Sequence, residues 1–177
     1  MKIEFENRGS KEYFDEVLYI ATYINKFIKK PNRKVQRLTK FYTNYLIFVI
    51  IYLILMIWFY FKYNDLLFIF LLGFMSLLLV FVLKGLIITN KRIKYYLEEK
   101  INKTIEFDKD TIKYVDKVKT LSIDWKDVKN ILINNYSIIF LPVNSTLPTI
   151  AIDKHYIGKV EEVIKKYSKV ELIINNK

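Results

Sequence analysis

The sequence predicts a membrane α+β protein: a two-helix transmembrane hairpin, then a bent antiparallel β-sheet capped by a C-terminal helix. Three observations predict it. Residues 41–61 and 66–83 form two runs without a charged side chain. Basic residues gather before and after these runs and almost none lies between them. From residue 105 onward, short alternating segments separated by turn residues give way to one last segment with 3–4 spacing.

Composition limits the chemistry. A chain of 177 residues that is 53% hydrophobic is too apolar to be disordered. It has no Cys, so it holds no disulfide framework, thiolate metal site or Cys nucleophile. The single histidine, His155, excludes a His cluster and reads as a surface or capping residue between the last strand and the helix. Four glycines leave no phosphate-cradling loop, and no GxSxG or HExxH occurs. Asp108, Asp110, Asp124 and Asp127 fall at turns, where carboxylates accept from nearby backbone N–H groups. A calcium loop needs more oxygen ligands and a Gly. The expectation is a non-enzymatic protein without cofactor or metal.

Taken in order, residues 1–40 predict a cytoplasmic strand, an amphipathic helix and a basic collar. Residues 3–6 alternate as a short strand. Ser10 caps the helix, with Glu12 in its first turn. Phe14, Val17, Leu18, Ala21, Ile24 and Ile28 share one face, and Pro31 ends or bends the helix. Two placements compete: on the inner leaflet, with its lysines near anionic headgroups, or packed against the C-terminal domain. Asp15 and Glu16 favour packing at that end.

Each apolar run extends roughly 27–32 Å as a helix, enough for a hydrocarbon core of about 30 Å. Both are apolar all round, unlike the striped helix of a soluble core. The first begins too far into the chain for a signal peptide. Only Lys62, Tyr63, Asn64 and Asp65 separate them, so the spans are antiparallel. Lys26, Lys29, Lys30, Arg33, Lys34, Arg37 and Lys40 precede the first span, and Lys84, Lys91, Arg92 and Lys94 follow the second. The positive-inside rule places both termini in the cytoplasm and the turn outside. Sequons at Asn102, Asn135 and Asn144 oppose this weakly, being chance matches in an Asn-rich chain. The spans carry no ionisable group for a transport path. Gly73 and Ser76 share a face of the second span and mark where it meets the first, or a second copy of the chain.

Residues 84–104 read as a basic linker and 105–177 as the sheet domain. Strands are predicted at 104–107, 111–115, 121–125, 128–133 and 137–143, and an edge strand at 147–152 after Pro148. Tyr156, Val160, Val163, Ile164 and Tyr167 mark the closing helix. Residues 170–174 read as a strand or an ordered tail. Trp125 is predicted to be structural, seated between the sheet and the helix.

Ile3-Glu4-Phe5 with Tyr13-Phe14, the hairpin behind a basic collar, and the stretches Ile105-Glu106-Phe107, Asp110-Thr111-Ile112 and Leu121-Ser122-Ile123-Asp124-Trp125-Lys126-Asp127-Val128 carry a resemblance. Together they resemble the YcxB-like family of small bacterial membrane proteins. The resemblance implies that the C-terminal module is pleckstrin-homology-like (PH-like). One departure is Asp153, where family members carry Pro before the last helix.

The net charge of +11 suggests nucleic acid at first sight. It divides otherwise: residues 1–40 hold 10 basic and 5 acidic residues, residues 84–104 hold 6 and 2, and residues 105–177 hold 12 and 10. The excess thus flanks the hairpin, and the domain lacks the clustered cations that DNA needs. Lys26, Lys29, Lys30, Arg33, Lys34, Arg37, Lys40, Lys84, Lys91 and Arg92 are candidate contacts for inner-leaflet lipid. The leading expectation is a membrane-anchored PH-like module that binds an unknown protein partner or assembles with itself. Its contact surface is expected at the 147–152 edge and on the helix face around Lys159 to Lys166. The alternative is a small immunity or stress-protection protein acting through its hairpin.

Overall fold

The computed structural model describes residues 2–5, 9–63, 65–98, 103–115, 120–167 and 170–175. Asn64 in the turn and residues 99–102 of the basic linker, with the sequon Asn102, lie outside them. The fold is α+β and divides into two compact units, one of Met1–Gln36 with Ile93–Lys177 and one of Arg37–Arg92.

The larger unit holds two four-stranded sheets where one bent sheet was expected. The first has the order β1 (Lys2–Phe5), β2 (Lys103–Phe107), β3 (Thr111–Val115), β4 (Thr120–Asp124), all antiparallel. The chain then turns through a short 3-10 segment, Trp125–Asp127, and re-enters as β5 (Val128–Ile133) of the second sheet. There β5 pairs with β6 (Ser137–Pro142), and β6 with the edge strand β7 (Ile150–Asp153). β8 (Glu171–Ile174) adds to the free side of β5 in parallel, so the apolar end of the chain is a strand and not a tail. The break at Trp125 splits the predicted sheet. The Trp indole Nε1–H donates to the Asp108 carbonyl at 3.0 Å, and the Trp125 N–H donates to the Asp110 carbonyl. Both bonds hold the turn against the β2–β3 hairpin.

A helix, α5 (Ile157–Tyr167), closes the core with Val160, Val163 and Ile164. These pack with Phe107, Ile112, Ile123, Trp125, Ile131, Ile138, Phe140, Ile150 and Ile152. Trp125 is buried, its ring 6.2 Å from Phe107 and 6.0 Å from Phe140, as its structural role requires. β6 is buried at every position, so a second layer must cover its other face. That layer is α1 (Lys11–Thr22) and α2 (Ile24–Lys29), both of which contact β6. Ser10 Oγ accepts from the Tyr13 N–H and caps α1 as expected. The helical stretch ends before Pro31 as expected, with Lys30 as its C-cap, but it also breaks at Tyr23. Tyr23 leaves helical geometry (ψ 26°), and its N–H is shared between the Tyr19 and Ile20 carbonyls. The local sequence Tyr-Ile-Ala-Thr-Tyr-Ile is rich in β-branched and aromatic residues, which resist a continuous helix.

The smaller unit consists of α3 (Leu38–Tyr63) and α4 (Leu66–Glu98) up to Arg92, and both helices are long and apolar enough to cross a membrane. Asp65 caps α4 by accepting from the Leu67 N–H at 2.9 Å. Phe68 stacks on Phe59 and Tyr63 beside the turn. At the far end Tyr42 lies against Gly85, and Val49 and Met75 are buried. α4 does not stop at Leu83. No Pro interrupts it before Glu98, and a Lys94–Glu98 pair four residues apart supports its last turn.

Candidate functional site

A buried polar cluster joins α1 to the β5–β6 hairpin. Asp15 and Glu16 on α1 are 1% and 2% exposed, which is rare for carboxylates. Glu16 Oε2 accepts from the Tyr136 backbone N–H (3.1 Å) and from the Ser137 hydroxyl (2.9 Å). Asn134 Nδ2 donates in turn to Ser137 Oγ, and the hairpin closes with the Asn134 N–H on the Ser137 carbonyl. Burial raises the Glu16 carboxyl above its ordinary range, while the two donors and the charge of Lys154 oppose the rise. These contacts tie α1 to the start of β6 through one carboxylate.

Beside this cluster lies an apolar cleft of about 210 Å³ between α1, the end of α4, β3, β4 and β7. Tyr13, Phe14, Val17, Tyr96, Tyr114, Leu121 and Ile150 line it. Phe14 stacks on Tyr96 with ring centres 5.5 Å apart. The Tyr13 ring is partly exposed, but its hydroxyl ends inside and donates to the Ala151 carbonyl at 3.0 Å. Burial pushes that hydroxyl far above the usual tyrosine range, with Tyr114 and Asp153 adding to the effect. The predicted 147–152 edge is thus β7, Ile150–Asp153, and Tyr13 occupies part of it. Sequence reasoning missed this cleft because five elements converge on it. The one available signal was Tyr13 at the margin of the apolar face of α1.

The cations fall into two groups. In the larger unit Lys26, Lys29, Lys30, Arg33 and Lys34 are exposed, and Lys26 Nζ lies over the Tyr23 ring at 4.7 Å. In the smaller unit the Tyr42–Gly85 contact brings Lys40 and Lys84, with Arg37, to the end of the hairpin opposite its turn. Lys91 and Arg92 continue along α4, exposed. Gly73 and Ser76 do not mark the meeting of the two helices. Nothing lies within 4 Å of a Cβ built at Gly73, and the exposed Ser76 hydroxyl donates to the Leu72 carbonyl of its own helix. Gly85 is the close contact instead, because the hairpin seats the Tyr42 ring there.

His155 is exposed, its ring edge-on to Tyr156, and its backbone N–H donates to the capping Asp153. On α5, Lys159, Lys165 and Lys166 alternate with Glu161 and Glu162 on the outward face. Among the described residues no group of three His, Cys, Asp or Glu side chains is placed to hold a metal ion. The chain matches no family model, no curated protein and no solved structure.

Proposed function

We propose that the chain is a two-span protein of the bacterial cytoplasmic membrane whose larger unit is a cytoplasmic, non-enzymatic PH-like module that binds a protein partner. The outward faces of α3 and α4 carry this reading. Large apolar side chains project from them on all sides, Ile54 at 62% and Phe70 at 77% exposure among them. Water would penalise such a surface at roughly 25 cal/mol per Å², whereas hydrocarbon would not. The gathering of Lys40 and Lys84 at one end supports an inner-leaflet position for that end, with anionic headgroups as the contact.

Strand order supports the PH-like reading. Four strands of one antiparallel sheet, three of a second and a closing helix follow in chain order, and the hairpin is an insertion between β1 and β2. Membership of the YcxB-like family rests on the same features and on Trp125 with Val128. The contact surface for the partner is the remaining open part of β7 with the outward face of α5.

The chain has no Cys, so Ser145→Cys gives a single thiol, on the exposed turn after β6. In intact cells it should resist an impermeant maleimide and react once the membrane is opened. The full chain should also sediment with membranes and resist alkaline extraction. Ready labelling in intact cells would overturn the topology, and release by alkali would overturn the anchor.

A further inference from the structure

The free edge of β8 stands apart from the surfaces named so far. β8 pairs with β5 on one side, and among the described residues no strand pairs with the other. Leu172 and Ile174 are 42% and 66% exposed on it. No Pro or Lys interrupts Glu171–Ile174, so of the protections that edge strands commonly carry only its shortness and the single charge of Glu171 are present. A groove of about 540 Å³ runs along the edge, lined by residues 171–175 together with Asn32 and Lys34.

The two charges of this groove lie at opposite ends. Glu171 is held at the start of β8, where its Oε2 accepts from Asn130 Nδ2. At the other end the Asn175 side chain donates to the Pro31 carbonyl, which fixes the segment carrying Asn32 and Lys34 there. Four strand residues separate the ends by about 13 Å. Lys34 is exposed, and among the described residues no ion pair joins it to Glu171 of its own chain.

We propose that this edge is the contact between two copies of the chain, their β8 strands paired antiparallel across a two-fold axis. Antiparallel pairing sets the start of one β8 against the end of the other. Each Glu171 then meets the Lys34 of the other copy, and the exposed Leu172 and Ile174 of both copies cover one another. The two second sheets become one continuous sheet of eight strands. This contact rests on the larger unit alone, so it stands or falls separately from membrane insertion.

The experiment uses the full chain in its native membranes, with Leu172→Cys or Ile174→Cys as the only thiol and a short bismaleimide. At least one of the two should give a dimer band well above that of the exposed control Val143→Cys. Lys34→Glu or Glu171→Lys, added to the responding variant, sets like charges together twice per dimer and should reduce the band several-fold. Two differently tagged chains, one carrying Lys34→Glu and the other Glu171→Lys, should crosslink to each other at the original level, because both pairs are then opposite in sign. A dimer band no stronger than the control overturns the proposal. So does a band that ignores either charge change, a mixture no better than the single variants, or crosslinks that run only to other proteins.

Discussion

At Glu16, burial and hydrogen bonding act in opposite directions on one carboxyl. Burial is the larger effect, so the folded state holds the Glu16 proton more tightly than the unfolded chain does. Its contribution to stability is therefore full below the ordinary carboxylate range and is lost as pH rises through the raised value. Glu16→Gln keeps an acceptor for the Tyr136 N–H and the Ser137 hydroxyl without the charge. Urea midpoints taken from pH 4 to pH 8 should fall less steeply for Glu16→Gln than for the parent chain, and at pH 8 the variant should be at least as stable. Parallel curves would show that Glu16 does not titrate differently on folding. Glu16→Ala leaves two inward donors without their acceptor and should cost about 1–3 kcal/mol for each one that stays buried. The sequence hinted at this role, since Asp15 and Glu16 interrupt an otherwise apolar approach to the helix face. It did not identify the acceptor's partners, because Tyr136 and Ser137 lie 120 and 121 residues away and only tertiary folding brings them near.

Among the elements, legibility follows the length and purity of the pattern. The two long helices were readable because long apolar runs free of turn residues read as helix, and the Asp108–Asp110 and Asn134–Asn135 turns fixed two hairpins. The break of the N-terminal helix at Tyr23 was hidden behind a continuous 3–4 spacing. β8 was ambiguous because its sequence does not say which strand it will join. The helix seam was misread for a similar reason. Small residues permit close approach but do not choose it, and Gly85 rather than Gly73 received the opposing ring. A methyl group at Gly85 would sit 2.6 Å from the Tyr42 ring, so the ring must move. Gly85→Ala should destabilise the hairpin by about 1–3 kcal/mol. Gly73→Ala should be neutral or stabilise by up to ~1 kcal/mol, through helix propensity alone. Thermal unfolding of the full chain in detergent micelles compares them. Tyr42→Ala should abolish the difference, since it removes the group that Gly85 accommodates. Equal effects of the two glycine changes in the parent chain would mean the seam lies elsewhere.

For the whole molecule, the strand order carries a consequence that the linear domain reading lacked. Reading residues 105–177 as the domain leaves out β1, which completes the first sheet, and the α1–α2 layer, which covers the second. Leu132, Ile139 and Leu141 are fully buried but do not belong to the cluster around Trp125. With β6 facing α1 and α2, losing that layer exposes them. At about 1.5–3 kcal/mol for each side chain, the loss is comparable to the ~5–15 kcal/mol that holds an ordinary domain together. The larger unit should instead survive removal of the hairpin. We expect a chain in which a Gly/Ser linker of about 20 residues replaces Arg37–Arg92 to fold in water, since such a linker reaches about 25 Å. Trp125 is then the only Trp, and its buried emission should shift to the red in one cooperative urea transition. Residues 103–177 alone should show a much lower midpoint or no cooperative transition. Equal midpoints for the two chains would return the N-terminal strand and helices to the status of an appendage, and with it the linear domain reading.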